Sequence, residues 1–340
     1  MKILLTGSQG FIGSYICNDL LDTGHTVVGV DNYSKYGNLY RSHDDNKNFF
    51  FYCCDILSPN FIEIVRKEKP DIIIAGAAMI GGISYFHKYA YDLLATNERI
   101  LAQTFDAAID GYKNKYLKRI IVMSSSMVFE NTTVYPTPES SILNTIPPSS
   151  TYGFQKLAAE YFARGAYEQY GLPYTIVRPF NCVGVGEDDT ISDDKITSGN
   201  VDLMLSHVLP DLINKVLKGQ TPLHILGSGN QTRCYTNGRD LARGIRLCIE
   251  SKAAINNDFN ISTHRETTVI ELATIIWNKL NPGQPFTYTS DTPFTYDVQK
   301  RIPDVTKART ILGFEAMVSL EDSIDEVIEY MKSKSIQKET

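Results

Sequence analysis

From Lys2 to about Arg178 the chain alternates short, continuous apolar runs with longer segments in which apolar residues recur at helical spacing. Runs that are apolar at every position suit strands buried on both faces. Helical segments between them suit crossovers, so the pattern predicts βαβ units building a parallel sheet with helices on both sides. The predicted strands are Lys2–Thr6, Thr26–Asp31, Phe49–Cys53, Asp71–Ala75, Arg119–Ser124 and Pro173–Arg178. Asp92–Asp110 reads as an amphipathic helix through Leu93, Leu94, Ile100, Leu101 and Phe105, and Thr151–Tyr170 through Phe154, Leu157, Ala158, Tyr161 and Phe162. After Arg178 the pattern breaks. Gly184–Asn200 is loop-like, with glycines around an acidic cluster from Glu187 to Asp194, and reads as solvated. Helices are expected over about Ser206–Lys218 and Arg239–Glu250, and the DFNIS run around Phe259 reads as a last sheet strand. The expected fold is α/β and doubly wound: residues 1–180, completed by about 235–262, form the sheet domain, and 181–234 with 263–340 form a smaller mixed lobe.

Composition changes this picture little. In 340 residues, 43% hydrophobic and 21% charged, it supports packed cores rather than a disordered or fibrous chain. A net charge of -6 without a local basic run excludes a sequence-independent hold on nucleic acid or an anionic membrane surface. No apolar stretch approaches a membrane span, and Gly7 and Gly10 interrupt the one start that resembles a leader. The six cysteines show no CxxC pair and no histidine spacing suited to zinc, so no metal site is expected. Free thiols in a reducing cytoplasm fit them best.

The first strand runs into Thr6-Gly7-Ser8-Gln9-Gly10-Phe11-Ile12-Gly13, a TGxxGxxG turn opening a helix. Glycines there permit a tight turn and let a pyrophosphate sit against the helix N-terminus, where free N–H groups and the dipole favour anions. A second strand ends in Asp31, at the spacing where a carboxylate accepts hydrogen bonds from an adenosine ribose. This combination predicts a Rossmann-type dinucleotide site, and an acidic Asp31 repels a 2′-phosphate, favouring NAD over NADP. Asn32 stands beside it; Asp55 and Ile56 follow the third strand where an adenine edge would lie. Small residues from Ala75 to Ala77, after the fourth, leave room for a cofactor.

Tyr152 and Lys156, four apart in a predicted helix, share one face. An ammonium beside a phenol lowers the phenol's pKa and makes it available as a base, which is the expectation for this pair. The YxxxK spacing also occurs at Tyr296–Lys300 and Tyr330–Lys334, so position must choose. Only Tyr152 follows a strand ending in Ser124-Ser125-Ser126, whose hydroxyls would emerge at the carboxyl edge of the sheet, where ligands of such folds bind.

These residues resemble the extended short-chain dehydrogenase/reductase superfamily, in particular its NAD-dependent nucleotide-sugar epimerases and dehydratases. The resemblance runs over nearly the whole chain: the TGxxGFIG turn, Ser125 before Tyr152 and Lys156, RPFN at Arg178–Asn181, GSGNQTR ending at Arg233, and RIPDVTKARTILGF from Arg301. It implies that Ser125 hydrogen-bonds the reacting hydroxyl, that Tyr152 is the base, and that Lys156 also holds the nicotinamide ribose. It further implies contacts from Asn181, Arg233 and Arg301 to the substrate's pyrophosphate or ribose, with Gly82 and Ser126 near the sugar. The bound partner would be a UDP- or GDP-hexose, and the helices near 92–110 and 151–170 resemble the family's homodimer contact.

The activity so implied is 4-epimerisation through a transient 4-keto sugar. Dehydratases of the family commonly carry an Asp-Glu pair after the catalytic hydroxyl residue, and decarboxylases a Glu; here Ser126 and Met127 stand there. The AAMIGGI and SHVLP segments resemble GDP-fucose synthase, which epimerises C3 and C5 before reducing C4, and His207 keeps the position of one of its acid/base residues. Keto-sugar epimerase/reductase and dehydratase therefore stay open as alternatives. Glu130 is a further carboxylate for the sugar region, and the aromatic segment Ser84–Tyr91 suits pyranose recognition. A catalytically idle NAD-binding regulator on the same fold is the reading outside enzymology, and retention of Ser125, Tyr152 and Lys156 together weighs against it.

Overall fold

Strands with apolar residues on both faces need cover on both sides, and a single seven-stranded sheet supplies the frame for it. In the computed structural model, which describes residues 1–80, 89–187, 196–198, 201–203, 207–293 and 298–339, these strands are β1 (Lys2–Thr6), β2 (Thr26–Asp31), β3 (Phe49–Cys53), β4 (Ile72–Ala75), β5 (Arg119–Met123), β6 (Tyr174–Pro179) and β7 (Asn257–Ile261). Their order is β7-β6-β5-β4-β1-β2-β3, and every pairing is parallel. The order reverses between β1 and β4. At that switch point the crossovers leave in opposite directions and a crevice opens at the strands' carboxyl ends.

Alternate side chains of β1 feed two cores. Ile3 and Leu5 pack with α1 (Phe11–Asp22) and α6 (Gly238–Glu250) on one face, while Leu4 packs with α2 (Asn60–Glu68), α3 (Ala90–Lys113) and α4 (Thr151–Tyr170) on the other. A third core joins α5 (Val208–Leu217), α7 (Val269–Leu280), α9 (Leu320–Glu339) and the strand Leu223–Leu226, which pairs with Tyr288–Asp291. The short helix α8 (Thr306–Leu312) belongs elsewhere: Ala308, Leu312 and Phe314 pack into the core shared by α1 and α6. The described residues after 262 are thus divided, α8 and Phe314 joining the sheet side and α7 and α9 the third core.

The predicted strands match to within a residue at each end, and Thr151–Tyr170 is a helix throughout its predicted length. Gly82, Ser206, Tyr296, most of Gly184–Asn200 and most of Ser84–Tyr91 lie outside the described residues. Among the described residues no helix is long and apolar enough to cross a membrane, and no group of three His, Cys, Asp or Glu side chains could hold a metal.

Candidate active site

A cleft of about 860 Å³ follows the crevice from the first glycine turn, past the ends of β5 and β6, to the third core. Its first end is shaped by backbone. Thr6 Oγ1 accepts the N–H groups of Gly76 and Ala77, both at 3.1 Å, tying the ends of β1 and β4 together. Gly7 adopts φ +79°, a left-handed value that glycine tolerates. A Cβ on Gly13 would lie 2.0 Å from the Gly7 carbonyl oxygen, so only glycine lets α1 start this close to the turn. No side chain caps the N-terminus of α1 and its first turn carries no acid, so its N–H groups remain available to an anion.

Asp31 stands at the end of β2 and lines the same cleft, with one oxygen accepting Gln9 N at 3.0 Å and the other Tyr33 N at 2.8 Å. Burial raises its pKa, with the three backbone N–H groups of Tyr33, Gln9 and Asn32 and the Arg41 charge opposing. Gly7, Gly10, Phe11, Ile12, Gly13, Asn32, Asp55, Ile56 and Ala77 also line the cleft. Gln9 and Ala75 do not: the Gln9 side chain turns away to Asp44 at 2.9 Å, so its contribution here is its backbone N–H. An uncapped helix start, a wall of small residues and a carboxylate at the second strand form a cradle that fits a dinucleotide. Sequence reading missed Lys35, which lines the same end and whose pKa burial lowers to about 8.

Midway, β5 and α4 bring Ser125, Tyr152 and Lys156 together. Ser125 Oγ accepts Met127 N at 3.2 Å and its hydroxyl hydrogen-bonds the Tyr152 phenol. Lys156 Nζ donates to the Met123 carbonyl at 2.9 Å and lies 6.0 Å from the Tyr152 ring centre. The expected electrostatics need correction here. Burial raises the Tyr152 pKa, and the groups opposing it are Ser125, by hydrogen bonding, and Arg301, by charge; burial also lowers Lys156 to about 8. The ammonium is engaged by the end of β5 instead of by the phenol.

Glu130 also departs from expectation. It is absent from the cleft lining, and its Oε2 accepts both the hydroxyl (2.7 Å) and the N–H (3.2 Å) of Ser150, which in turn caps α4 through Gly153 N at 3.0 Å. Its role is to fix the start of the helix carrying Tyr152.

At the far end the short strands Thr232–Arg233 and Lys300–Arg301 pair in parallel with Arg233 opposite Arg301, bringing together two arginines distant in sequence. Both line the cleft, as do Ser126 and Asn181. The buried Asn181 Nδ2 has no hydrogen-bond partner among the described residues, and its Oδ1 receives Arg301 Nη1 at 3.5 Å. Donors converging in this way suit the oxygens of a diphosphate. His207 lines this region too, with Nδ1 in contact with Oε1 of the buried Glu187. The Tyr330–Lys334 pair lies on α9 away from the cleft.

The fold and site define a class: an α/β enzyme in which a dinucleotide cradle, a serine–tyrosine–lysine group and a cluster of donors from Asn181, Arg233 and Arg301 share one cleft. Residues 3–262 match the NAD dependent epimerase/dehydratase family, and the chain belongs to it. It is 28% identical over 337 residues to UDP-glucose 4-epimerase of Mycolicibacterium smegmatis, covering 98% of this chain and all of that protein. It is also 26% identical over 336 residues to UDP-glucuronic acid decarboxylase 1 of Xenopus tropicalis, covering 98% of this chain and 72% of the relative. The crystal structure of UDP-glucose 4-epimerase from Thermotoga maritima with UDP-glucose superposes with a TM-score of 0.81 at 29% identity, over 98% of this chain and the whole of that one.

Proposed function

We propose that this NAD-dependent enzyme interconverts nucleoside diphosphate hexoses at C4. The observation carrying the reading is one cleft in which the Tyr152 phenol, hydrogen-bonded by Ser125, stands between the dinucleotide cradle and the facing pair Arg233 and Arg301. NAD, when bound, supplies the acceptor and donor for hydride at C4. Arg233, Arg301 and Asn181 hold the diphosphate, leaving the hexose against Ser125, Ser126 and Tyr152. Tyr152 acts as the phenolate, the form that the Ser125 hydrogen bond and the Arg301 charge favour against burial; its Oη takes the proton of the 4-hydroxyl and later returns it, Ser125 Oγ orients that hydroxyl, and Lys156 fixes the end of β5 and offers its charge to the ribose side. Gly7, Gly10 and Gly13 seat the pyrophosphate and Asp31 the adenosine ribose. Ser126 and Met127 carry no ionisable group, which weighs against water elimination and decarboxylation.

The test is incubation with UDP- and GDP-hexoses and analysis of products by NMR. The expected product is the C4 epimer with no net change in NADH absorbance. A product lighter by water, stoichiometric NADH turnover, or release of carbon dioxide when a UDP-hexuronic acid is supplied instead, would refute the reading. Tyr152→Phe should lower kcat by roughly three orders of magnitude with folding intact.

The Glu187–His207 contact favours a second reading, proton exchange at C3 or C5 of the keto sugar, because a buried carboxylate can hold an imidazole ready to move a proton. Deuterium appearing at those carbons in D2O would identify it, and its absence would discard it.

The sheet with α1–α4 and α6 forms the cofactor domain in this reading, and the third core the substrate lobe. Tyr91, Phe154, Tyr161 and Tyr167, exposed on α3 and α4, supply the contact for a homodimer, which sedimentation would detect. The six cysteines are free thiols, in keeping with a reducing cytoplasm.

A further inference from the structure

Three successive turns of α4 grip three successive residues at the end of β5. Tyr152, Lys156 and Glu160 recur every four residues and share one face of the helix. Tyr152 meets Ser125, Lys156 Nζ meets the Met123 carbonyl at 2.9 Å, and Glu160 Oε1 receives the Ser124 hydroxyl at 2.7 Å. In the third contact Ser124 lines the cleft, whereas Glu160 does not and is completely buried beneath it.

Glu160 is itself fixed from the sheet. Arg178 on β6, also completely buried, donates Nε and Nη2 to its two oxygens, both at 2.7 Å, and Nη1 to Asp258 at the same distance. Lys307 completes the charge balance on Asp258 at 2.5 Å, and the Arg178 guanidinium lies 5.0 Å from the Phe129 ring centre. A buried ion pair adds little net stability over an apolar pair of the same volume, because desolvation offsets its attraction; what it does add is one defined geometry. That geometry matters here. Apolar packing of α3, α4 and the sheet tolerates small slides of the helix, whereas a hydrogen bond between Ser125 and Tyr152 weakens steeply with distance.

We propose that Ser124 and Glu160, seated by Arg178, are positioning residues that set the register of α4 against the end of β5 and thereby hold Tyr152 on Ser125 and the reacting hydroxyl. The proposal rests on Tyr152 being the base. Ser124→Ala tests it mildly, since Glu160 keeps both of its bonds to Arg178. The expected result is a kcat lowered about tenfold per folded enzyme, as small misplacements of reacting groups cost that much or more. KM and bound NAD should stay near wild type, the acidic limb of the kcat–pH profile should move upward, and Ser124→Thr should restore both. Glu160→Gln should act in the same direction and, combined with Ser124→Ala, add little.

A purely structural role would lower the melting temperature and leave kcat per folded enzyme and the pH limb in place, and that outcome overturns the proposal. Tyr152→Phe is the control. If it is inactive while Ser124→Ala behaves as wild type, the register proposal fails and the base assignment stands. If Tyr152→Phe stays active, the base assignment itself fails, and the proposal with it.

Discussion

Lys156 is a cation held where burial disfavours it, and replacing it by methionine should stabilise the protein while destroying its activity. Burial lowers its pKa from 10.5 to about 8, with the Glu98 charge opposing. That drop corresponds to roughly 3 kcal/mol of differential penalty on the charged form. Its sign follows from proton counting. Between pH 8 and 10.5 the unfolded chain binds more protons than the folded one, so stability rises with pH across that window, and the full penalty is present below it. Methionine matches much of the aliphatic stem and carries no charge, but it forfeits the hydrogen bond to the Met123 carbonyl, a loss of about 1 kcal/mol. Lys156→Met should therefore gain about 2 kcal/mol at pH 7. The gain should shrink by roughly 2 kcal/mol by pH 9.5, because the wild type loses its penalty over that range and the variant has none to lose. Urea unfolding at both pH values, with kcat measured in parallel, checks this. A variant less stable than wild type at pH 7, or one whose advantage is the same at both pH values, would refute the reasoning.

Two further substitutions probe the cofactor end. Gly13→Ala puts a methyl group 2.0 Å from the backbone oxygen of Gly7, which cannot yield as a flexible side chain could, so stability should fall by about 2 kcal/mol or more and copurifying NAD should be lost. A thermal melt and an absorbance spectrum of the purified variant suffice, and wild-type values for both would contradict the geometry. Asp31→Asn removes the charge at the end of β2 while keeping the acceptor for Gln9 N or Tyr33 N. NADP binding should improve relative to NAD by about tenfold or more, as repulsion of a 2′-phosphate disappears; an unchanged ratio from paired titrations would remove Asp31 from cofactor selection.

The division between what is local and what is not runs through the site. Parallel strands such as RIIVM, the glycine turn and the placing of Tyr152 and Lys156 on one helix face follow from residue spacing, because backbone sterics and helical period act between near neighbours. Sequence alone therefore determined the sheet, the cradle and the candidate base, and the position of Ser125 ahead of Tyr152 selected that YxxxK pair over Tyr330–Lys334. Tertiary structure decided which polar groups meet. It paired Arg233 with Arg301 and Glu187 with His207, turned Gln9 and Glu130 away from the cleft, and buried Glu160 against Arg178. It also reversed the expected direction of the Tyr152 shift, since desolvation depends on everything packed around a group. Partner choice and burial are set by elements far apart in the chain, and no periodicity along the sequence encodes the distance between them.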